Sequence, residues 1–168
     1  MTSTTLQNPT RQQCDQWQIS LNKALEDPDG FQNFYAFLKS FEEYKGVTEG
    51  EYTRYLDFWS DCQIFKNTKF DNYSEAKQSA LQIFNTYLNT RAEKKLDLGG
   101  YDHIVPKTRE LLQVENSEDV SSLLNVFDEA LSGMRQNLNE GGCGGAYDKW
   151  KIHLQPKDKK KNKSCRLL

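Results

Sequence analysis

The last four residues of the chain, Cys165-Arg166-Leu167-Leu168, have the types and spacing of a lipidation motif. A cysteine fourth from the end, an aliphatic residue two positions later and a final leucine fit the C-a-a-X pattern. In that pattern a terminal leucine favours a geranylgeranyl group on the thiol. Arg166 is tolerated in the motif but is not typical of it. The chemistry predicted here is therefore a thioether link from Cys165 to a prenyl chain.

A lysine-rich segment lies directly before this motif. One lipid chain alone holds a protein on a bilayer only marginally, whereas a chain plus a polybasic patch holds it stably. Each lysine close to an anionic leaflet adds about 1 kcal/mol. The two signals predict attachment to the cytoplasmic face of a membrane, most simply the plasma membrane. A solvated terminus is the alternative interpretation of the lysine run. The lysines concerned are Lys157, Lys159, Lys160, Lys161 and Lys163.

Charge is distributed unevenly along the chain, although the net value is only −2. Residues 157–168 carry six basic and one acidic side chain, so the remainder is clearly acidic. An acidic body does not bind nucleic acid non-specifically, because phosphate neutralisation dominates that affinity. Anionic lipid would also repel it. We therefore expect no nucleic-acid partner, and we expect the tail to hold the body near an anionic inner leaflet.

No group of residues in the sequence predicts catalysis, a metal or a cofactor. The glycines around Cys143 are not followed by Lys-Ser/Thr, so they do not form a phosphate-binding P-loop. The four cysteines and two histidines lack metal-ligand spacing. No serine, histidine and aspartate share a recognisable catalytic motif. We expect a protein that is not itself an enzyme and whose cysteines are reduced.

The elements that must position any binding residues are helices. Apolar side chains recur at helical spacing throughout, and no stretch shows convincing strand alternation. We predict an all-α bundle over residues 10–156, a disordered segment 1–9 and a disordered basic tail 157–168. Thr48 and Glu51 have the spacing of a capping box that would open the third helix. The helices are predicted at about 10–26, 31–44, 48–66, 74–91, 106–112, 117–139 and 146–154, with Ser74 and Ser117 as N-caps of the fourth and sixth.

Several blocks, in this order, resemble the regulator of G-protein signalling (RGS) domain family over residues 17–154. The first two blocks, a phenylalanine ladder and a Phe-Trp-x-x-Cys segment, are the more specific. The blocks are Gly30-Phe31-x-x-Phe34-x-x-Phe37-Leu38, Leu56-Asp57-Phe58-Trp59-x-x-Cys62-x-x-Phe65-Lys66, the Ala76-to-Leu88 helix, Leu96-Asp97-Leu98, Phe127-Asp128-Glu129-Ala130 and Tyr147-Asp148-Lys149-Trp150.

The resemblance implies a bundle of about nine helices that binds activated Gα subunits and accelerates their GTP hydrolysis. Such a domain donates no catalytic arginine, because Gα carries its own. It grips the Gα switch segments in the geometry of the transition state. By resemblance, the interface positions here are Arg54, Tyr55, Asp97, Gly145, Ala146 and Lys149.

This sequence departs from the family pattern at each of those positions. Arg54 and Tyr55 replace a Glu-Asn pair, Gly145 and Ala146 replace an Asp-Ser pair, and Lys149 replaces an arginine with a forked contact. Asp97 stands where the family has the asparagine that props the Gα glutamine. An ionised aspartate accepts a hydrogen bond but cannot donate one. The connection between Leu38 and Phe58 is also longer than is usual in the family, and the added region is Lys45–Glu51. Each position has the alternative interpretation of a surface residue without a role.

Two functions remain open from the sequence. The short single-domain layout favours an activator of Gα GTP hydrolysis. The changed interface positions favour a prenylated adaptor with the same fold, which binds Gα or another partner without stimulating hydrolysis.

Overall fold

The computed structural model describes residues 9–99, 103–114, 120–140 and 143–154, and the regular structure within these ranges is entirely helical. The all-α prediction is confirmed, while the predicted tail and its lipidation motif lie outside the described residues. None of the described helices is long and apolar enough to cross a bilayer. The nine helices of the described ranges are α1 (Arg11–Trp17), α2 (Leu21–Glu26), α3 (Pro28–Lys45), α4 (Thr53–Asn67), α5 (Tyr73–Tyr87), α6 (Ile104–Gln113), α7 (Ser121–Leu124), α8 (Asp128–Glu140) and α9 (Ala146–His153).

Two of the predicted helices are each divided in the structure. The expected helix 10–26 is α1 followed by α2, because Ser20 is extended (φ −160°, ψ 155°) and its side chain accepts a hydrogen bond from the Lys23 amide. The expected helix 117–139 contains α7 and α8, separated by turn bonds at residues 125–127. Ser117, its predicted N-cap, lies outside the described residues. In both cases the single helix predicted from the apolar periodicity is two helices, and each of the two buries apolar residues of its own.

Side-chain caps explain where other helices begin. Thr10 and Gln13 form a reciprocal capping box at α1. Asn72, rather than the predicted Ser74, caps α5 by accepting a hydrogen bond from the Glu75 amide at 2.9 Å. Asn72 has the extended backbone that an N-cap requires, whereas Ser74 already lies within the helix.

Contacts divide the chain into two units, and the first comprises residues 1–34 and 147–168. Its described part is built around two tryptophans, Trp17 and Trp150, whose rings stack with centroids 5.9 Å apart. Phe34 packs on Trp150 at 4.8 Å. The Tyr147 hydroxyl donates to the Trp17 carbonyl at 2.6 Å, and the Trp150 indole N–H donates to Asn33 at 2.9 Å. These bonds satisfy the polar atoms of rings that are otherwise buried.

The second unit, residues 35–146, has an aromatic core between α4, α5 and the segment before α8. Phe58 packs on Tyr87 at 5.4 Å and edge-on against Phe127 at 6.0 Å. Phe65 meets Phe127 edge-on from the other end of α4, also at 6.0 Å. The edge-on geometry is the one that aromatic quadrupoles favour. This core fixes α4, which carries two of the predicted site residues.

Gly30, the first residue of the phenylalanine ladder, allows close packing inside the first unit. A Cβ atom there would lie 2.4 Å from the Ala24 carbonyl oxygen and 2.8 Å from the indole nitrogen of Trp17. That indole N–H donates to the Asp27 carboxylate at 2.9 Å, so the ring cannot retreat without losing the bond. Glycine is therefore required here because there is no room for a side chain. Its backbone conformation is helical and does not itself require glycine.

We predict that Gly30→Ala lowers the free energy of unfolding by about 2 kcal/mol, the usual cost of overpacking. Alanine has the better helix propensity by about 1 kcal/mol, so propensity alone predicts the opposite sign. Urea denaturation followed by tryptophan fluorescence distinguishes the two effects. Ser40→Ala, on the exposed side of the same helix, is the control and should stay within about 0.5 kcal/mol of wild type. A stabilised Gly30→Ala variant would contradict the packing argument.

Candidate partner-binding site

A buried carboxylate organises the connection between α3 and α4. Glu42 is only 2% exposed. Its carboxylate accepts hydrogen bonds from the amides of Tyr52, Thr53 and Gly50 at 2.6, 2.7 and 3.0 Å, and from the Thr53 hydroxyl at 3.3 Å. A buried carboxylate is tolerated when its oxygens are satisfied in this way. The same contacts place a negative charge at the N-terminus of α4, where the helix dipole favours it.

The capping box predicted at Thr48 and Glu51 is wrong. The helix begins at Thr53, its N-cap is Tyr52, and Tyr52 makes no side-chain cap bond. The Glu51 amide instead donates to the Thr48 carbonyl at 3.0 Å, as part of a turn. The physical reason is that Glu42, ten residues before the N-cap, already accepts the amide bonds that a local cap would accept.

Arg54 links this connection to the segment before Asp97. Its Nε donates to the Gly50 carbonyl at 2.7 Å, and its Nη1 donates to the Lys95 carbonyl at 3.0 Å. The guanidinium therefore joins the connection to a backbone segment that lies 41 residues after Arg54 in the chain. Because both bonds are charge-assisted, they are stronger than neutral ones.

Hydrogen bonds to its main-chain carbonyl hold Asp97 in place, while its side chain is exposed to solvent. The Asp97 carbonyl accepts hydrogen bonds from the Tyr55 hydroxyl at 2.6 Å and from the Asn137 amide at 2.7 Å. Both donors are largely buried, with 5% and 7% of their surfaces exposed. The Asp97 carboxylate is exposed and accepts from the Gly99 amide at 2.9 Å. That bond closes a turn with Gly99 at φ +64°, a conformation that favours glycine.

Burial also determines the protonation of the groups around this loop. Desolvation raises the pKa of the Tyr55 hydroxyl far above its ordinary value, so it remains a donor throughout the physiological range. Desolvation, followed by the charges of Glu51, Glu42 and Asp97, raises the pKa of the Cys143 thiol to about 12. The thiol therefore stays protonated and is a poor nucleophile.

The other predicted interface residues differ in exposure. Gly145 is half-buried with φ +66°, and Ala146 is completely buried at the start of α9. Lys149 is half-buried and belongs to the first unit. The structure therefore brings Arg54, Tyr55 and Asp97 together. It places the side chains of Tyr55 and Ala146 beneath the surface, so the assignment of all six positions to an interface stays a prediction.

Sequence reasoning missed two residues that support the site, Glu42 and Asn137. Each leaves a recognisable signal, because each is a polar residue on an apolar helix face. Glu42 continues the i, i+4 row of Phe34 and Leu38 in α3, and Asn137 lies in the buried stripe of α8 beside Leu138. A polar residue in such a row needs a buried partner.

Within the described ranges, no group of three or more His, Cys, Asp or Glu side chains could hold a metal ion. The arrangement has no nucleophile paired with a base either. The arrangement can act as a preformed binding surface. It is a loop whose carbonyls accept hydrogen bonds from helix side chains and whose Asp97 side chain is exposed.

Comparison with known proteins assigns this architecture to a family. The sequence model of the regulator of G protein signaling domain matches residues 20–140, which is well over half of the chain. The chain belongs to the RGS domain family. The family match covers Arg54, Tyr55 and Asp97, and it ends before Gly145.

Individual RGS relatives are moderately similar. Mouse regulator of G-protein signaling 10 is 30% identical over 94 residues, covering 56% of this chain and 46% of the relative. Mouse regulator of G-protein signaling 5 is 31% identical over 91 residues, covering 54% and 44%. The pig form of the latter is 25% identical over 132 residues, covering 78% and 63%. The chain thus matches less than half of the length of the two mouse relatives.

We predict that Tyr55→Phe lowers the free energy of unfolding by about 1 kcal/mol, because it removes a buried donor to the Asp97 carbonyl. Amide hydrogen exchange at residues 96–99 should become faster. Denaturation curves and exchange mass spectrometry measure the two effects. The matched control is Tyr44→Phe, whose side chain is exposed. Equal behaviour of the two variants would show that the Tyr55 hydroxyl does not hold the loop.

Proposed function

We propose that this RGS domain binds the switch segments of activated Gα subunits and accelerates their GTP hydrolysis. The observation that carries the proposal is the Asp97 loop. Its main chain is fixed by Tyr55 and Asn137, and its side chain is exposed. The sequence resemblance matches Asp97 to the asparagine with which the family props the Gα glutamine. Family membership supports the same function.

The geometry suits catalysis by differential binding. A loop that is rigid before binding costs little to order, so its contact energy can favour one geometry of the partner. A surface that fits the transition state better than bound GTP lowers the barrier. A hundredfold acceleration requires a preference of about 2.7 kcal/mol. Family membership implies that the domain donates no arginine to the reaction, because Gα carries its own. The Arg54 guanidinium is itself bonded to two backbone carbonyls of this chain.

Asp97 changes one step of this scheme in a defined way. A carboxylate can accept a hydrogen bond from the side-chain amide of a Gα glutamine, but it cannot donate one in return. The glutamine would therefore be held from its N–H side only. This orients the amide with its carbonyl free to accept a hydrogen bond from the attacking water.

The second candidate function is an RGS-fold adaptor that binds Gα without stimulating hydrolysis. The replacement of the family's Glu-Asn pair by Arg54 and Tyr55 favours it, since both side chains are directed to internal bonds. Single-turnover GTP hydrolysis by Gα subunits of the same organism, with and without the full chain, separates the two. The activator proposal fails if binding occurs and no Gα is accelerated.

We predict that Asp97→Lys reduces the acceleration of GTP hydrolysis at least about tenfold, equivalent to about 1.4 kcal/mol of transition-state binding. Asp97→Asn keeps an acceptor for the Gly99 amide and restores a donor, so its acceleration should equal or exceed that of wild type. Single-turnover rates and thermal denaturation are measured for both variants. If Asp97→Lys loses stability and activity together, Asp97 has a structural role only.

Membrane attachment through Cys165 and the lysines before it stays a prediction, because these residues lie outside the described ranges. We propose that a prenyl group and the lysines confine the domain to the surface that carries Gα, which raises the effective concentration of both partners.

We predict that Cys165→Ser moves the protein from the membrane fraction to the soluble fraction of its native cells. GTPase stimulation in solution should be unchanged, because the substitution changes no residue of the candidate site. Fractionation and intact-mass spectrometry make the measurement, and Ser164→Ala serves as the control with the thiol retained. An unmodified Cys165, or persistent membrane attachment of the variant, would end the lipid proposal.

A further inference from the structure

A cleft of about 570 Å³ lies between the Asp97 loop, the end of α5 and the start of α6. Small-molecule sites in proteins usually have volumes of about 300–1,000 Å³, so the cleft can hold most of an organic ligand. Every residue that lines it belongs to the second unit. Of its lining side chains, the proposed function uses that of Asp97 alone.

The inner wall of the cleft is apolar. Leu88, Leu96 and Leu98 line it, and all three are buried. Val105 and Pro106, in the first turn of α6, complete the apolar lining. Pockets for small molecules are typically lined by hydrophobic side chains with a few polar groups. This wall therefore suits the apolar body of a ligand.

Two cationic side chains, Lys95 and Arg109, supply charge to the cleft. Both residues are exposed, and neither forms an ion pair with a carboxylate within the described part of the chain. The guanidinium of Arg109 lies 5.6 Å from the centre of the Phe84 ring on α5. Because an aromatic face attracts a cation, this contact gives the guanidinium a defined position.

Asp97 is the one acidic side chain among the described lining residues, and it does not cancel this charge. Its carboxylate accepts a hydrogen bond from the Gly99 amide at 2.9 Å, within its own turn. Two cations and one anion leave the lining with a positive charge, whereas the chain outside residues 157–168 is acidic overall. A cleft of one sign of charge concentrates ligands of the opposite sign.

Contacts on both sides hold the cleft open before any ligand arrives. On the loop side, the Leu96 amide donates to the Tyr87 carbonyl at 2.9 Å. On the helix side, Glu129 of α8 is hydrogen-bonded to His103 and Lys107, at 2.7 and 2.6 Å, around the first turn of α6. A site that is formed in advance loses little conformational entropy on binding.

We propose that this cleft binds a small organic anion, in which a phosphate or carboxylate group is attached to an apolar body. The apolar body packs on the buried leucines, and the anionic group contacts Lys95 and Arg109. Hydrogen bonds between ionised partners are the strong ones, and the arginine fork matches both kinds of anion. The inference goes beyond the proposed function, because it requires no Gα subunit.

The first test titrates the full chain with three probes that share a naphthalene body. 1-Naphthyl phosphate should bind at least about tenfold more tightly than 1-naphthylmethylamine or 1-naphthol, because hydrogen bonds to charged groups contribute most. Calorimetry measures Kd, and the difference should shrink at about 0.5 M salt as the charges are screened. Equal affinities, tighter binding of the amine, or no binding of the phosphate would overturn the proposal.

The second test removes each cation in turn. Lys95→Gln and Arg109→Gln should each raise the Kd of 1-naphthyl phosphate about fivefold or more, the effect of losing a charge-assisted hydrogen bond. Lys69→Gln removes the same charge from an exposed lysine between α4 and α5, and it should leave Kd within about twofold of wild type. Thermal denaturation establishes that the variants are folded. An unchanged Kd in either cleft variant contradicts the proposal.

Amide hydrogen exchange of the wild-type chain, with and without 1-naphthyl phosphate, locates the probe. Slower exchange at residues 95–99 and 105–109 supports binding in the cleft. Protection confined to residues 157–163 would show that the probe binds the lysines of the tail, and the proposal would fail.

The outcomes also separate this inference from the proposed function, since none of these measurements contains Gα. A chain that binds the phosphate probe in the cleft and accelerates no Gα refutes the proposed function alone. A chain that accelerates Gα and does not bind the probe refutes this inference alone.

Discussion

The buried carboxylate of Glu42 is the constraint on which the candidate site depends. A charge that is 2% exposed must have its oxygens satisfied, and four donors from Gly50, Tyr52 and Thr53 do this. Those bonds decide where α4 begins and place the Gly50 carbonyl within reach of Arg54. Removing one partner of such a cluster leaves the others buried and unpaired, which costs more than the net value of the bonds. The connection therefore keeps one conformation.

The Asp97 loop shows the complementary arrangement, in which side chains satisfy backbone carbonyls. A loop without regular structure cannot pair its own carbonyls, so it needs donors from elsewhere. Arg54 and Tyr55 from α4 and Asn137 from α8 provide them. Because the donors lie on helices that are packed in the core, their hydrogen bonds hold the loop in one conformation. In the proposed function the loop recognises a transition state, and rigidity is then an advantage, since small displacements lose catalytic contacts.

The sequence was sufficient for the class of fold, and insufficient for the contacts that hold the Asp97 loop. Helical periodicity is a local signal, so the all-α bundle followed from it. The divisions at Ser20 and at residues 125–127 escaped it, because buried residues on both sides of a turn can keep helical spacing, as Trp17 and Leu21 do around Ser20. The cap of α4 escaped it as well, since Glu42 lies ten residues away and competes with a plausible local box at Thr48. Bonds over 40 residues, such as that from Tyr55 to Asp97, have no local signature at all.

The departures from the family pattern acquire a common explanation from these contacts. Arg54 and Tyr55, which replace a pair expected at the interface, instead donate hydrogen bonds to the carbonyls of Lys95 and Asp97 and so support the loop. In the proposed function, contact with a partner then depends on exposed groups such as the Asp97 carboxylate. The required energy is small, because about 2.7 kcal/mol of selective binding gives a hundredfold acceleration. A binding face with few contacts is thus energetically adequate, provided that those contacts are tighter in the transition state than in the GTP-bound state.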